Sequence, residues 1–413
     1  ALSSTLSYKR VLESALDMSA AALNPDPDEQ SVSDPLVSAV MLFNGGKLRI
    51  GSARRFTTPD MRVTFDAAEG ILKKALDEGH THYGSDRGLP ELRQRIAAKI
   101  KRQYGVDYSW QDEILVTAGG QSALHVAVMS LVNPGDEIVI LLPHYPPYVV
   151  NARLAGAKAV FVKLRAEDDF VPNPADIEQV ITSRTKLIMI LTPNNPTGAV
   201  YPKETLRRLL DIAIRHNIVL IADEVYECLV YDGLEHASLL SFPDAREHVV
   251  QVNSFSKTYA MTGLRVGYLA ASADKQTQFL KYHHTMNISA NVPSQMACVA
   301  ALAGPQDCVE EMRSAYQARR DLVVKRLNDI PGIRCGVPKG AFFAFADIRE
   351  QGIGSLEFAE YLVQEAGVVL TNGSGFDYEG FVRVSYAVNP ETIDKAMDRM
   401  KAAVLKLRAR KKA

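Results

Sequence analysis

Residues 186–226 read KLIMILTPNNPTGAVYPKETLRRLLDIAIRHNIVLIADEVY, and this stretch decides the fold. An apolar run at 186–191 ends in a turn rich in proline and asparagine, and an amphipathic segment follows at 203–216 before a second apolar run at 218–222. The short apolar runs predict buried strands, and the longer amphipathic segment predicts a helix. Because a helix is a long enough crossover for parallel pairing, the stretch predicts a beta-alpha-beta unit.

The same alternation extends on both sides, from about residue 60 to residue 270. Further strands are predicted at 114–117, 137–142, 159–164, 249–252 and 264–270, with a further helix at 122–132. After about residue 290 the order changes, with predicted helices at 305–330, 355–365 and from 390, and a strand at 340–348. This pattern predicts an α/β fold, in which a large domain has a mostly parallel sheet flanked by helices and a smaller domain is α+β.

The length of 413 residues is too great for one compact core, so more than one domain is expected. Prolines at 25 and 27 interrupt the first sixty residues, which indicates an arm rather than a continuous helix. We predict an N-terminal arm and part of the small domain at 1–56, a large cofactor-binding domain at 57–290, and a C-terminal small domain at 291–413.

The composition favours a small-molecule partner. A net charge of -1, with 47% hydrophobic and 23% charged residues, is typical of a globular protein and provides no overall field toward nucleic acid or an anionic membrane. We therefore expect neither of those partners, and we interpret the basic end at 406–412 as a solvated helix end. Four scattered cysteines predict neither a disulfide scaffold nor a metal site. With no secretion-like or membrane-spanning apolar run, they suggest a cytoplasmic protein.

Polar residues follow several predicted strands, where ligands of open α/β sheets gather. Gly119, Gly120, Gln121 and Ser122 form a small-residue turn into a helix, which suits a phosphate but is equally a plain tight turn. Asn194 and Asn195 lie in a proline-rich turn, and the alternative is a simple Asn-Pro turn.

Two further positions carry charged groups. Asp223, at the end of a strand, is either a buried carboxylate that needs a partner or a helix cap. Lys257 lies among small hydroxyl residues with Arg265 eight positions later, which suits an imine-forming amine beside a phosphate clamp. Taken alone, Lys257 is better explained as a surface lysine.

Two other motifs are weaker. Ser254 and Lys257 also read Ser-x-x-Lys, a hydrolase motif, but the companion Ser-Asp-Asn and Lys-Thr-Gly strings do not occur in the sequence. Gly373-Ser374-Gly375 lacks the spacing of a dinucleotide fingerprint and does not argue for NAD.

Taken together and in order, the motifs resemble fold-type-I pyridoxal-phosphate (PLP) enzymes of the aspartate aminotransferase superfamily, class I/II. The resemblance covers about residues 43–387. It is carried by Tyr83-Gly84, Gly119 to Ser122, Tyr145-Pro146, Asn195-Pro196-Thr197-Gly198, Asp223-Glu224-Val225-Tyr226, Ser254 to Lys257 with Arg265, and Arg383-Val384-Ser385.

The resemblance implies a PLP cofactor, no metal, and a role for each motif. Lys257 would form the imine with the cofactor and shuttle the alpha proton, while Asp223 would pair with the protonated pyridine nitrogen. Asn195 and Tyr226 would hydrogen-bond the phenolic oxygen of the cofactor, and Tyr145 would stack on its ring. The phosphate would be held by Gly119, Gly120, Gln121, Ser254, Ser256 and Arg265, with Tyr83 from the partner of a homodimer. The substrate would be bound by Arg383, which clamps the alpha-carboxylate, together with Asn195 and Ser52.

Two departures concern the substrate side chain. Residues 52–56, Ser-Ala-Arg-Arg-Phe, replace a string that borders the substrate in members of this family. Residues 282–291 contain no arginine, although aspartate-specific members of one subgroup carry a second arginine near there. Either Arg54 or Arg55 takes the place of that arginine, or the two residues together form a surface or interface pair.

The leading hypothesis is therefore an aminotransferase that moves the amino group of an L-amino acid to a 2-oxo acid through a pyridoxamine form. A PLP-dependent lyase, cyclase or oxidase acting at the alpha carbon is the chief alternative, because the scaffold does not fix the reaction. A non-catalytic PLP-binding regulator is a third hypothesis.

Overall fold

The computed structural model describes residues 42–44, 47–49 and 62–411, with side chains from residue 70 onward. The expected N-terminal arm, together with Ser52, Arg54 and Arg55, lies outside the described residues. The short strands β1 (Leu42–Asn44) and β2 (Lys47–Arg49) form an antiparallel pair.

The large sheet has seven strands in the order β3-β9-β8-β7-β6-β4-β5. Its strands are β3 (Ile114–Thr117), β4 (Glu137–Leu142), β5 (Lys158–Lys163), β6 (Thr185–Leu191), β7 (Val219–Asp223), β8 (Val249–Ser254) and β9 (Gly267–Ala270). All neighbours pair in parallel except β9, which is antiparallel to both β3 and β8. The predicted α/β class with a mostly parallel sheet is thus confirmed.

One predicted strand is too long. The apolar run at 264–270 forms a strand only from Gly267, and residues 262–264 form a 3-10 turn instead. Arg265 has a left-handed backbone with φ of 54°, which lies outside the β region that a regular strand needs. The chain therefore turns at Arg265 before β9 begins.

Helices cover the large sheet. They are α1 (Arg62–Asp77), α2 (Pro90–Tyr104), α3 (Gly120–Leu131), α4 (Pro147–Leu154), α5 (Pro174–Glu178), α6 (Lys203–His216), α7 (Phe255–Thr258), α8 (Ala273–Asn287) and α9 (Val292–Ala303). Helix α6 has the predicted bounds, because its buried Leu206, Leu209, Leu210 and Ala213 recur at helical spacing. Asn217, in the left-handed conformation, ends it.

A separate four-stranded antiparallel sheet has the strand order β10-β11-β13-β12. It comprises β10 (Arg334–Cys335), β11 (Phe343–Asp347), β12 (Thr371–Asn372) and β13 (Phe381–Ser385), and it packs with α10 (Asp307–Asn328), α11 (Ser355–Ala366) and α12 (Pro390–Arg410). Leu327, Phe358, Leu362 and Met397 are among the residues of its separate hydrophobic core. This is the α+β part that the sequence predicts.

The domain boundaries remain predictions. Helix α9 follows the expected boundary at residue 290, yet its Ala297 and Cys298 are buried in the same cluster as Leu92 and Ile96 of α2. The first helix after the boundary thus packs with the helices of the large sheet. Among the described residues, no helix is long and apolar enough to cross a membrane, and no group of three or more potential metal ligands occurs.

Candidate active site

Asp223 ends β7 at the carboxyl edge of the parallel strands, and its side chain is buried. The Tyr148 hydroxyl donates a hydrogen bond of 2.8 Å to Oδ2. Oδ1 is also buried, and it accepts no hydrogen bond from any residue that the structure describes. Burial raises the pKa of Asp223 to about 6, although the hydrogen bond from Tyr148 acts in the opposite direction. This carboxylate therefore has room for one further donor.

Tyr226 lies three residues later on the same turn, and its side chain is also buried. Its ring packs edge to face on Phe342 at 5.5 Å and on Phe343 at 5.9 Å between centroids. Burial raises the pKa of its hydroxyl, which stays protonated and able to donate a hydrogen bond at neutral pH.

Lys257 lies in α7, the single short helix that follows β8. The Ser254 hydroxyl accepts a hydrogen bond from the Ser256 N–H at 3.1 Å, which caps this helix and turns the chain at the edge of the sheet. Lys257 is half-buried, and its Nζ lies 5.4 Å from the ring centroid of Phe342 and 5.9 Å from that of Tyr226. The amine thus lies near two aromatic rings, one of which, Tyr226, belongs to the turn that carries Asp223.

The loop between β3 and α3 approaches Arg265 closely. Gly119 has φ of 89°, and a Cβ there would lie 2.6 Å from Nη2 of Arg265. A Cβ at Gly267 would lie 2.4 Å from the N of Gly120, so this crossing also needs glycine. No side chain caps the first turn of α3, so its N–H groups and the Arg265 guanidinium form a cradle suited to a phosphate.

Tyr145 lies just before α4, half-buried, and its hydroxyl donates to Oε1 of Gln121 at 3.3 Å. It packs edge to face on Tyr148 at 5.6 Å. The sequence reasoning missed Tyr148, the hydrogen-bond partner of Asp223. The signal was available in Tyr145-Pro146-Pro147-Tyr148, since residues three apart at the start of a helix share one face.

Arg383 lies on β13 and reaches the large sheet. Its Nη1 donates to Oδ1 of Asn195 at 2.8 Å, and its Nη2 donates to the Thr371 hydroxyl at 3.1 Å. The guanidinium carbon lies 4.5 Å from the ring centroid of Phe343 and 5.0 Å from that of Phe376. The two rings hold the planar group in one orientation, and both were missed by the sequence reasoning.

A second contact joins the two parts of the site. The buried His144, which precedes Tyr145, has its Nε2 2.9 Å from Oδ2 of Asp377, which follows Phe376. The side chain of Asp377 is 56% exposed. His144 precedes Tyr145, the residue predicted to stack on the cofactor ring, and Asp377 follows Phe376, whose ring packs on Arg383. Their contact therefore connects these two parts of the site.

The structure brings most of the predicted residues to one edge of the large sheet. Direct contacts link Asn195 to Arg383, Tyr145 to Gln121, Lys257 to the Tyr226 ring, and Arg265 to Gly119, while Gly120 lies beside Ser254. Tyr83 is 79% exposed in the single chain. Ser52 lies outside the described residues.

Comparisons with known proteins agree with this geometry. The family described as aminotransferase class I and II matches residues 44–400. An aspartate aminotransferase of Pyrococcus horikoshii is 39% identical over 82% of this chain and 88% of that protein. An aromatic-amino-acid aminotransferase of Thermococcus litoralis is 39% identical over 81% and 88%, respectively.

Solved structures give the same result. The crystal structure of an aromatic aminotransferase from Pyrococcus horikoshii matches with a TM-score of 0.81 and 38% identity, over 83% of this chain and 93% of that one. An alanine aminotransferase from Pyrococcus furiosus matches with a TM-score of 0.78 and 36% identity, over 83% and 88%. These relatives share one fold, and their names refer to aspartate, to aromatic amino acids and to alanine.

Proposed function

The chain belongs to the class I and II aminotransferase family, and from this premise we propose that its amino-group transfer takes place on PLP bound at Lys257. The protein is an enzyme that transfers amino groups. Membership of this family implies PLP, and the remaining question is which residues hold that cofactor and what each of them does.

The observation that carries the proposal is the buried Oδ1 of Asp223, which accepts no hydrogen bond within the described part of the chain. A buried carboxylate oxygen is unfavourable unless a donor reaches it. The protonated pyridine nitrogen of PLP is a donor of the right charge. We assign Asp223 to that nitrogen, with Tyr148 holding the carboxylate in place through Oδ2.

The other end of the cofactor is a phosphate, and the cradle beside α3 fits it. The first turn of α3, which begins at Gly120, presents backbone N–H groups, whereas the Gly119 N–H donates to the Thr117 carbonyl at 2.8 Å and Gly119 leaves room for the positive charge of Arg265. Ser256 at the start of α7 is an additional hydroxyl donor, and the Ser254 hydroxyl, which donates to the Val266 carbonyl at 3.2 Å, would have to leave that carbonyl to donate to a phosphate. We assign the phosphate to these residues and to Gln121, and we assign the cofactor ring face to Tyr145.

The chemistry divides between cofactor and chain. When bound, PLP supplies an aldehyde for the amino group and a ring that withdraws electrons from the alpha carbon. Lys257 would hold the aldehyde carbon covalently in the resting enzyme and, once released, would move the proton at the alpha carbon as general base and acid. Tyr226 and Asn195 would donate hydrogen bonds to the phenolic oxygen.

Arg383 selects the class of substrate. A guanidinium held between two rings presents its donors as a fork, which binds a carboxylate through two parallel hydrogen bonds. We propose that the substrates are an L-amino acid and a 2-oxo acid, both bound through the carboxylate next to the reacting carbon. Ser52, Arg54 and Arg55 remain candidates for contacts with the substrate side chain.

We also propose a homodimer. Tyr83 is an aromatic residue that is mostly exposed in the single chain, which suits a side chain that reaches the phosphate of a neighbouring subunit. Sedimentation of the purified enzyme should give twice the mass of the chain. A fully active monomer would remove Tyr83 from the site.

The test of the proposal is Lys257→Ala. The variant should lose the visible absorbance of the bound cofactor and at least about 10⁴-fold in turnover, since both the covalent link and the general base are removed. Lys186→Ala, which changes an exposed lysine on β6, is the matched control and should behave like wild type. Near wild-type turnover in Lys257→Ala would refute the assignment.

A half-reaction separates amino-group transfer from the other PLP reactions. Aspartate, phenylalanine and alanine are each added to the holoenzyme without any 2-oxo acid, and the visible band and released products are followed. An aminotransferase stops after one equivalent of 2-oxo acid per site. Continued product formation would indicate a lyase, cyclase or oxidase.

A further inference from the structure

A buried ion pair lies behind the turn that carries Asp223 and Tyr226. Lys99 of α2 contacts Oε1 of Glu227 through its Nζ, and both side chains are almost completely inaccessible to solvent. The Tyr104 hydroxyl contacts Oε2 of Glu227, and Nζ of Lys99 also lies 3.0 Å from the Tyr268 hydroxyl. Every oxygen of the Glu227 carboxylate therefore has a partner.

The turn has two differently used faces. Asp223 and Tyr226 belong to the proposed cofactor side, whereas Glu224 and Glu227 point into the protein. The buried Glu224 accepts hydrogen bonds from the Ser238 hydroxyl at 2.7 Å, the Leu239 N–H at 3.0 Å and the Gln251 amide at 2.6 Å. The back of the turn is thus fixed at two points by charged groups.

The same pair lies next to the segment that carries Lys257. Lys99, Phe255, Thr258 and Tyr268 line one small internal cavity behind α7. The ring of Tyr268 also packs on Phe255 at 6.2 Å. A shift of Lys99 would therefore act on both the turn after β7 and the helix after β8.

Stability alone is a poor explanation for this pair. Removing two charges from water is expensive, and well-packed apolar side chains in place of a buried ion pair are often as stable or more stable. An ion pair does, however, fix distance and direction more narrowly than apolar packing does. Catalysis needs that precision, because a displacement of about 1 Å caused by a remote change can reduce a rate roughly a hundredfold.

We propose that Lys99 and Glu227 are a positioning pair, which holds the turn so that Asp223 and Tyr226 are correctly placed relative to Lys257. The inference rests on the proposed roles of those three residues. Lys99 and Glu227 themselves touch neither substrate nor cofactor, and they act only through the turn and through α7.

The experiment compares single and double replacements in the holoenzyme. Lys99→Met and Glu227→Leu each leave one buried charge without its partner, so both should lower the unfolding temperature. The double variant Lys99→Met/Glu227→Leu removes both charges and should recover most of that loss. Arg320→Met, which removes another buried cation whose partner is Asp232 rather than Glu227, is the matched control for a change in stability alone.

The readouts are kcat and KM in the complete reaction, with the best amino acid and a 2-oxo acid, and the visible absorption of the Lys257-bound cofactor. Positioning predicts that the double variant, although stable, has a kcat about ten- to a hundredfold below wild type, with KM changed by less than about threefold. Its visible band should also shift. Arg320→Met should change neither kcat nor the band.

A double variant with wild-type kcat and band would overturn the inference, because activity would then follow stability. Should the double variant fail to fold, Tyr104→Phe removes one hydrogen bond to Glu227 at nearly constant volume and should shift kcat and the band in the same direction. Unchanged values in Tyr104→Phe would equally overturn it. Failure of the proposed function is distinct, since wild type itself would then show no Lys257-bound cofactor.

Discussion

Asp223 and Glu227 lie on one turn, four residues apart, and form a natural comparison. Their exposures are nearly equal at 5% and 4%, but their electrostatic surroundings are opposite. Burial would raise the pKa of both carboxyls. At Glu227 burial is outweighed by the charge of Lys99 together with the hydrogen bonds from Lys99 and Tyr104, so the pKa is lowered, whereas at Asp223 burial dominates and raises the pKa to about 6.

The difference shows on which face of the turn the buried carboxylate is compensated by the protein itself. Glu227 receives its cation from α2 of the same chain, so the back of the turn is finished on folding. Asp223 accepts the hydroxyl of Tyr148 at Oδ2, its Oδ1 has no hydrogen-bond partner among the described residues, and we assign the donor to Oδ1 to the cofactor. A ligand site is expected to lie where burial of a charge is not compensated within the fold.

The largest effect is expected at the front of the turn. Asp223→Asn should reduce turnover by about a thousandfold, roughly 4 kcal/mol in the barrier, because an amide cannot keep the pyridine nitrogen protonated. Steady-state kinetics with saturating PLP measures this loss. Turnover within about threefold of wild type would mean that Asp223 does not face the ring nitrogen.

The same variant should be more stable than wild type without cofactor. A folded-state pKa of about 6 against the usual aspartate value of 3.8 makes ionised Asp223 destabilising by up to about 3 kcal/mol above pH 6. As the pH falls through 6 toward 4, the folded carboxyl takes up its proton and most of this difference disappears. Denaturant unfolding of the two apoproteins should therefore show a gain for Asp223→Asn at pH 7.5 and little gain at pH 4.

Glu227→Gln should change stability in the opposite direction. It leaves Lys99 buried without a counter-charge, which destabilises the folded state by about 3 kcal/mol near neutral pH. Because the folded pKa of Glu227 is lowered, its stabilisation is present above the usual carboxyl range and is lost on acidification. Equal stability of this variant and wild type at pH 7.5 would break the comparison.

A smaller effect is expected at the carboxylate clamp. Arg383→Lys keeps the charge but loses the fork and the stacking between Phe343 and Phe376, so kcat/KM should fall about ten- to a hundredfold. Bound cofactor should remain at the wild-type level. Arg349→Lys, which stacks on Phe381 outside the site, is the control and should leave kcat/KM unchanged.

The smallest effect is expected at the contact between His144 and Asp377. Asp377→Asn removes a partly exposed charge, worth less than about 1 kcal/mol, so KM should rise about twofold with kcat unchanged. Asp168→Asn removes a comparable exposed charge beside Arg165 and should not affect KM. A tenfold change in the KM of Asp377→Asn, in either direction, would show that this contact controls more than the position of Phe376.

Local patterns in the sequence are sufficient to predict the framework. Helix α6 and strands β3 and β4 have the predicted bounds, since buried residues recur at a fixed period. The left-handed turn at Arg265 could not be predicted, because arginine has no preference for that conformation. In the structure, Nη1 of Arg265 donates to the Thr262 carbonyl at 2.9 Å, and Gly119, which is distant in sequence, leaves room for the guanidinium.

The candidate site was predictable as a set of residues but not as a set of interactions. Asp223 and Glu227 are similar in sequence, two acidic residues in one turn, and only Lys99 and Tyr148 distinguish them. Both partners come from other helices. The rings around Arg383 were likewise invisible in the sequence, because Phe343 and Phe376 reach it from separate segments of the small sheet region.

The covalent attachment of the cofactor is the most direct test of the proposed site. Purified holoenzyme is treated with borohydride, which fixes any lysine-bound cofactor irreversibly, and its peptides are then mapped by mass spectrometry. The cofactor should be found on Lys257 and on no other lysine. Attachment elsewhere, or no attachment in material that transfers amino groups, would contradict the assignment of the site.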